Sequence, residues 1–133
     1  MADHASPVIQ QQVTWVYTHD LARTTTFYAS TLGLERVLDQ GSCHIYRSAP
    51  NAFVGVCQVR PGREVEPRGV VITLVTPEVD AWYQRLRGMG VHLEGPPRHS
   101  EPFNVYAFFA RDPNGYRIEF QTFLDPAWPE PNR

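Results

Sequence analysis

The alternation of apolar and polar side chains is clearest near the end of the chain, where Tyr116, Ile118 and Phe120 alternate with Arg117, Glu119 and Gln121. A period of two puts the first set on one face of a strand and the second on the other, so Glu119 projects away from the apolar triplet. Just before it, Asp112-Pro113-Asn114-Gly115 reads as a tight turn, because Pro presets φ and Asn and Gly tolerate positive φ. A strand face of Arg, Glu and Gln looks at water or lines a polar cavity.

Earlier in the chain, Val13, Trp15 and Tyr17 alternate with Thr14 and Val16, which predicts a strand within residues 8–18. Asp20 then serves as N-cap for a helix whose apolar positions are Leu21, Thr24, Phe27, Tyr28 and Leu32, and Gly33 stops it. Three further strands are expected at 34–39, 43–47 and 52–59, followed by a polar, breaker-rich linker over 61–67. The second half repeats this outline. A strand at 70–75 leads to a helix opened by Pro77 and stopped by Gly90, with Val79, Trp82, Tyr83, Leu86 and Met89 on its apolar face. A short strand at 91–94, a loop at 95–102 and strands at 103–110 and 115–123 complete it.

The helix-to-stop spacing from Asp20 to Gly33 matches that from Glu78 to Gly90 to within one residue. All twelve prolines fall in termini, turns or the helix start, where a missing ladder donor does no harm. The expected fold class is therefore α+β, two tandem βαβββ modules at about residues 8–60 and 69–123. Together they form one domain over 8–124, between a flexible start at 1–7 and a Pro-rich tail at 125–133 whose Trp128 is expected to dock on a neighbouring surface.

Composition narrows the function classes. The 133 residues, 42% hydrophobic and 20% charged, are those of a soluble globular domain with a real core. A formal charge of −2 gives no electrostatic case for nucleic acid or an anionic membrane as partner. All twelve basic residues are Arg, which excludes Schiff-base lysine chemistry and a P-loop and leaves Arg to hold any anionic ligand. No signal-like segment opens the chain and two cysteines build no disulfide framework, so a reducing, cytoplasmic setting is expected. Cys43 and Cys57 lie symmetrically about the turn near Pro50 and are expected to be cross-strand neighbours, two free thiols packed as small hydrophobes.

The closing turn and strand, Asp112 to Gln121, resemble those of the vicinal oxygen chelate superfamily, which includes glyoxalase I, extradiol dioxygenases and the fosfomycin and bleomycin resistance proteins. The stretch Asp20 to Leu34, with its Asp-Leu, Phe-Tyr and Leu-Gly-Leu, resembles the helix that opens the same fold. The resemblance implies a cleft built from the first and last strands of each module, with Glu119 as a metal ligand. At the other ligand positions this chain has Val13 and Val71, where His or Gln is usual, and a shift of one residue adds only Gln12. The extradiol signature is half met: Asp112-Pro113, Gly115 and Glu119 are present, but Phe109 replaces its tyrosine and His99 lies one residue too far upstream.

One carboxylate falls short of the three protein ligands of a catalytic site. The expected cofactor is accordingly none, with one divalent ion as the alternative. Glu119 and His99, the latter in a loop able to reach the cleft, are the candidate catalytic groups. Trp15, Tyr17, Cys57, Thr73, Arg117 and Gln121 are the candidate ligand-binding residues, though Trp15 and Tyr17 serve equally well as ordinary core. His19 and His44 are expected in structural roles, and His92 on an outer strand.

Three functions stay open: a metal-free protein binding a small hydrophobic or aromatic molecule, a metal-dependent lyase, isomerase, epimerase or dioxygenase using Glu119, and a regulatory partner without a ligand. The resemblance also implies a homodimer in which modules from two chains complete the clefts.

Overall fold

A computed structural model describes residues 6–131. Residues 1–5 of the expected flexible start, His4 among them, lie outside the described residues. The first module consists of β1 (Gln12–Thr18), α1 (Leu21–Thr26) running into a π-helical turn (Phe27–Thr31), β2 (Glu35–Asp39), β3 (Cys43–Ala49) and β4 (Ala52–Gln58). The second consists of β5 (Val71–Val75), α2 (Val79–Gly88), β6 (Arg98–Ser100), β7 (Val105–Arg111) and β8 (Arg117–Phe123). The sheets have equivalent orders, β1-β4-β3-β2 and β5-β8-β7-β6. In each, the first strand runs parallel to the last and the remaining pairs are antiparallel. The tandem βαβββ expectation therefore holds.

Period-two patterning sorts the faces. Val16 and Thr18 of β1, and Ile118 and Phe120 of β8, are buried on the faces on which the helices pack. Trp15, Tyr17, Glu119 and Arg117 stand on the opposite faces and are at least partly exposed. The Asp20 carboxylate accepts the Arg23 N–H at 3.1 Å, as an N-cap should. Gly33 and Gly90 both end their helices at φ 71°, in the left-handed region open to glycine. After Gly90 the Val91 N–H reaches the Leu86 carbonyl at 3.2 Å and closes a Schellman cap. The π turn, with Leu32 N–H bonded to the Phe27 carbonyl, accommodates one extra residue in the first helix and explains why its spacing is one longer than the second.

The modules are stitched together by the turn after β7. The Asn114 amide donates to Thr24 Oγ1 at 2.9 Å, and Thr18 Oγ1 lies 3.0 Å from Asn114 Oδ1. The Tyr28 hydroxyl donates to Asp112 at 2.8 Å.

Two expectations need correction. The strand placed at 91–94 forms only a single bridge, Leu93 to Ala110; Gly95 and Pro96-Pro97 then break the ladder, which resumes as β6 inside the expected loop. The two cysteines are not free thiols. They are directly opposed in β3 and β4 and joined as a disulfide, with Cα atoms 4.1 Å apart. The Gln58 N–H bonded to the Ser42 carbonyl makes the next pair along, Cys43 and Cys57, a close, non-hydrogen-bonded one whose side chains meet. Among the described residues no helix is long and apolar enough to cross a membrane.

Candidate functional site

The open face of the second sheet carries a candidate cavity of about 520 Å³, lined by Phe103, Val105, Phe109, Phe123, Glu119 and Gln121, with Glu94 and Arg98 among its polar groups. Register fixes its floor. Thr73, Glu119 and Phe109 lie side by side across β5, β8 and β7, and Val75, Gln121 and Ala107 form the next row. Thr73 Oγ1 donates to Glu119 Oε1 at 2.8 Å, which orients the carboxylate. At the far end Trp128 stacks on Phe123, ring centroids 3.6 Å apart, so the docking expected of the tail is against a wall of this cavity.

Arg117 is already engaged. Its guanidinium grips Glu94 through two bonds of 3.0 and 3.2 Å and lies 4.0 Å over the Phe109 ring. Arg111 bonds the same carboxylate at 2.9 Å. Burial pushes the Glu94 carboxyl up, but the two guanidinium groups outweigh it and hold it below the usual glutamate range. A depressed folded-state pKa contributes stability that is fully present above the ordinary value and is lost as pH falls through the lowered one. Wild type is therefore expected to lose its advantage over Glu94→Gln in urea midpoint as pH falls through and below the ordinary glutamate value of 4.5. A gap that does not close with acid would sink this assignment.

The second cavity, about 420 Å³, lies on the open face of the first sheet between Trp15, Tyr17, Ser42, the disulfide, Arg60 and Arg63. The Trp15 indole lies flat on Gly55, its register partner, where any Cβ would sit 2.2 Å from the ring. The expected site residues thus form two groups. Trp15, Tyr17 and Cys57 share one cavity, Glu119 and Gln121 line the other, and Thr73 and Arg117 flank Glu119. His99 stands in β6 between the lining residues Arg98 and Ser100, and its Nε2 is 3.1 Å from Asn104 Oδ1. His44 is structural, held between Thr25 at 2.8 Å and Asp39 at 3.3 Å. The Glu94 clamp and the disulfide went unforeseen. Glycine in an apolar strand was the available signal for the Trp15 contact.

The family model described as Glyoxalase/Bleomycin resistance protein/Dioxygenase superfamily matches residues 3–120. The chain belongs to this superfamily. Among solved structures of the fold, a glyoxalase/bleomycin resistance protein/dioxygenase from Nocardioides is similar at 22% identity and TM-score 0.72, covering 99% of this chain and 95% of that one. A glyoxalase-related enzyme from Fulvimarina pelagi matches at 21% and 0.73, over 93% and 94% of the two chains. Lactoylglutathione lyase from Agrobacterium tumefaciens matches at 20% and 0.71, over 88% and 96%. Identities this low carry the fold alone. No functionally curated protein matches the chain.

Where the superfamily resemblance calls for metal ligands, Glu119 has a threonine hydroxyl beside it, and Val13 and Val71 are half-exposed on the open faces. Among the described residues no three His, Cys, Asp or Glu side chains come together to hold an ion. This donor set does not fit a divalent catalytic centre.

Proposed function

We propose that this superfamily member binds a small hydrophobic or aromatic molecule in the cleft over β7 and β8 without a metal, and does so as a homodimer. The observation that carries the reading is the cavity itself: aromatic walls from Phe103, Phe109 and Phe123, and a carboxylate and an amide, Glu119 and Gln121, to orient a guest. Dimerisation is supported by Val13, Val71 and Val75, exposed apolar side chains on open sheet faces that a second copy would cover. A cytoplasmic setting belongs to the same proposal.

A panel of aromatic ligands followed by tryptophan fluorescence tests it. Phe109→Ala is expected to weaken the best binder by about 10-fold, the equivalent of roughly 1–2 kcal/mol of lost ring contact. The competing reading is a metal-dependent lyase, isomerase or dioxygenase, favoured by Glu119 facing the cavity. Near-unit occupancy by Ni, Mn, Zn or Fe that disappears in Glu119→Ala would replace the proposal with that one.

A further inference from the structure

The first-module cavity brings together three features that the cleft over β7 and β8 does not use: a disulfide, two arginines, and an aromatic wall. The disulfide joins the first residue of β3 to the penultimate residue of β4 and faces the cavity. Cys57 is 7% exposed, and Cys43 is the more open of the two sulfur-bearing residues. The arginines are placed by a tight turn. Arg60 and Arg63 exchange both backbone hydrogen bonds, at 3.1 and 2.8 Å, around Pro61 and a Gly62 at φ 79°, so their side chains leave from the same face.

Arg63 donates to the Tyr17 hydroxyl at 3.1 Å, which ties it to the cavity wall. Among the described residues no carboxylate lies within ion-pair distance of either guanidinium, whereas Arg47, Arg111 and Arg117 each have one. Among the described residues, the positive charge that shares this cavity with the disulfide is therefore uncompensated. Such a charge draws in anions and lowers the pKa of a neighbouring thiol, so it favours both an incoming anionic reagent and a departing thiolate.

We propose that this cavity is a thiol–disulfide exchange site for a small thiol that carries a carboxylate. The carboxylate is held by Arg60 and Arg63, and the thiolate of the reagent attacks Sγ of Cys43. The new bond is a mixed disulfide on Cys43; the Cys43–Cys57 bond breaks, and Cys57 leaves as a thiolate beside the arginines. A second reagent thiolate then attacks the reagent sulfur of the mixed disulfide and releases Cys43. The two reagent molecules become one disulfide, and the two electrons they give up leave the protein with two thiols. Run backwards with the oxidised reagent, the same steps rebuild the bond.

The test compares two reagents, 3-mercaptopropionate and the cationic cysteamine, on oxidised full-length protein. Exchange is followed by mass of the trapped adducts and by thiol counting, with rates expressed per thiolate and divided by each reagent's rate with an uncharged small-molecule disulfide, so that differences in reagent acidity and intrinsic nucleophilicity drop out. The anionic reagent is expected to react about 10-fold faster in low salt, with the preference shrinking as salt screens the arginines. The mixed disulfide is expected on the Cys43 peptide. Arg60→Gln combined with Arg63→Gln should remove the preference while leaving the bond reducible.

Equal rates for the two reagents after that normalisation, a preference that survives in the double variant, or a bond that resists both reagents would each overturn the proposal. Because the readout is the bond itself, none of these outcomes depends on whether the second-module cleft binds a hydrophobic molecule.

Discussion

Asp112→Ala is expected to destabilise the fold by about 3–5 kcal/mol, because it strips three hydrogen-bond donors of their acceptor at once inside the protein. Asp112 is 5% exposed. Its Oδ1 accepts the N–H groups of Asn114 and Tyr116 at 2.8 and 3.0 Å, and its Oδ2 accepts the Tyr28 hydroxyl at 2.8 Å. The first two bonds shape the turn that launches β8, and the third ties the modules together.

Asp112→Asn separates shape from charge. Its amide oxygen can keep both backbone donors, and its NH2 can donate to the Tyr28 oxygen. It should therefore cost less than about 1.5 kcal/mol. Tyr28→Phe, which leaves the carboxylate its backbone donors, should fall near the same value. Urea unfolding of the three variants measures all of this. Equal losses for Asp112→Ala and Asp112→Asn would refute the hydrogen-bond argument.

The same residue has a pH signature opposite to that of Glu94. Burial pushes the Asp112 carboxyl above its ordinary value of 3.8, against the lowering effect of Tyr28 and the backbone donors. The folded state then holds its proton more tightly than the unfolded chain, so this group's contribution to stability falls as pH rises through the window between the two values. At neutral pH the buried charge is a liability that the hydrogen bonds offset. Asp112→Asn should remove that slope, and a slope unchanged in the variant would refute the assignment. The hydroxyl of Tyr28, pushed well up by burial and by Asp112, stays a donor across this range.

The modules, the helix caps and the two faces of β8 were legible because period and punctuation are local properties: alternation sorted Ile118 from Glu119, and Gly33 and Gly90 marked equivalent stops. What escaped depends on long-range contact. The pairing of Cys43 with Cys57 followed from the turn near Pro50, but whether opposed thiols become a bond turns on a close approach that sequence spacing does not specify. The misplaced strand at 91–94 reflects a contest between apolar content and breakers. Val91 and Leu93 look strand-like, yet the Gly95-Pro96-Pro97 step moves most of the pairing to Arg98–Ser100, a polar segment stabilised by β7.

Arg117 was legible as a residue on the polar face of β8 but not as one held by Glu94, since the two are far apart in the sequence. The candidate site divided for a similar reason. Face assignments are local, while the division of the lining residues between two cavities is a property of how the sheets sit.

Gly55→Ala is expected to cost about 1–3 kcal/mol, well beyond what an alanine in a strand usually does, because the space a Cβ needs is occupied. That Cβ would lie 2.2 Å from Trp15 Cε3 and 2.3 Å from Cζ3. Both residues sit at fixed register in parallel neighbours, so the backbone has little room to yield, and the indole must lift. Trp15 is 40% exposed and has solvent to move into, so the chain should still fold. Its emission should shift to the red as the ring leaves the sheet.

The first-module cavity would lose that wall, which also neighbours the disulfide. Trp15→Ala supplies the control: in that background the added methyl meets no ring, and Gly55→Ala should become neutral or mildly stabilising, since glycine is a poor strand residue. The coupling in the double-mutant cycle is then about 1–3 kcal/mol. Additive effects would mean that Trp15 does not lie on Gly55 in solution, and the aromatic wall of the exchange site would have to be drawn from Tyr17 alone.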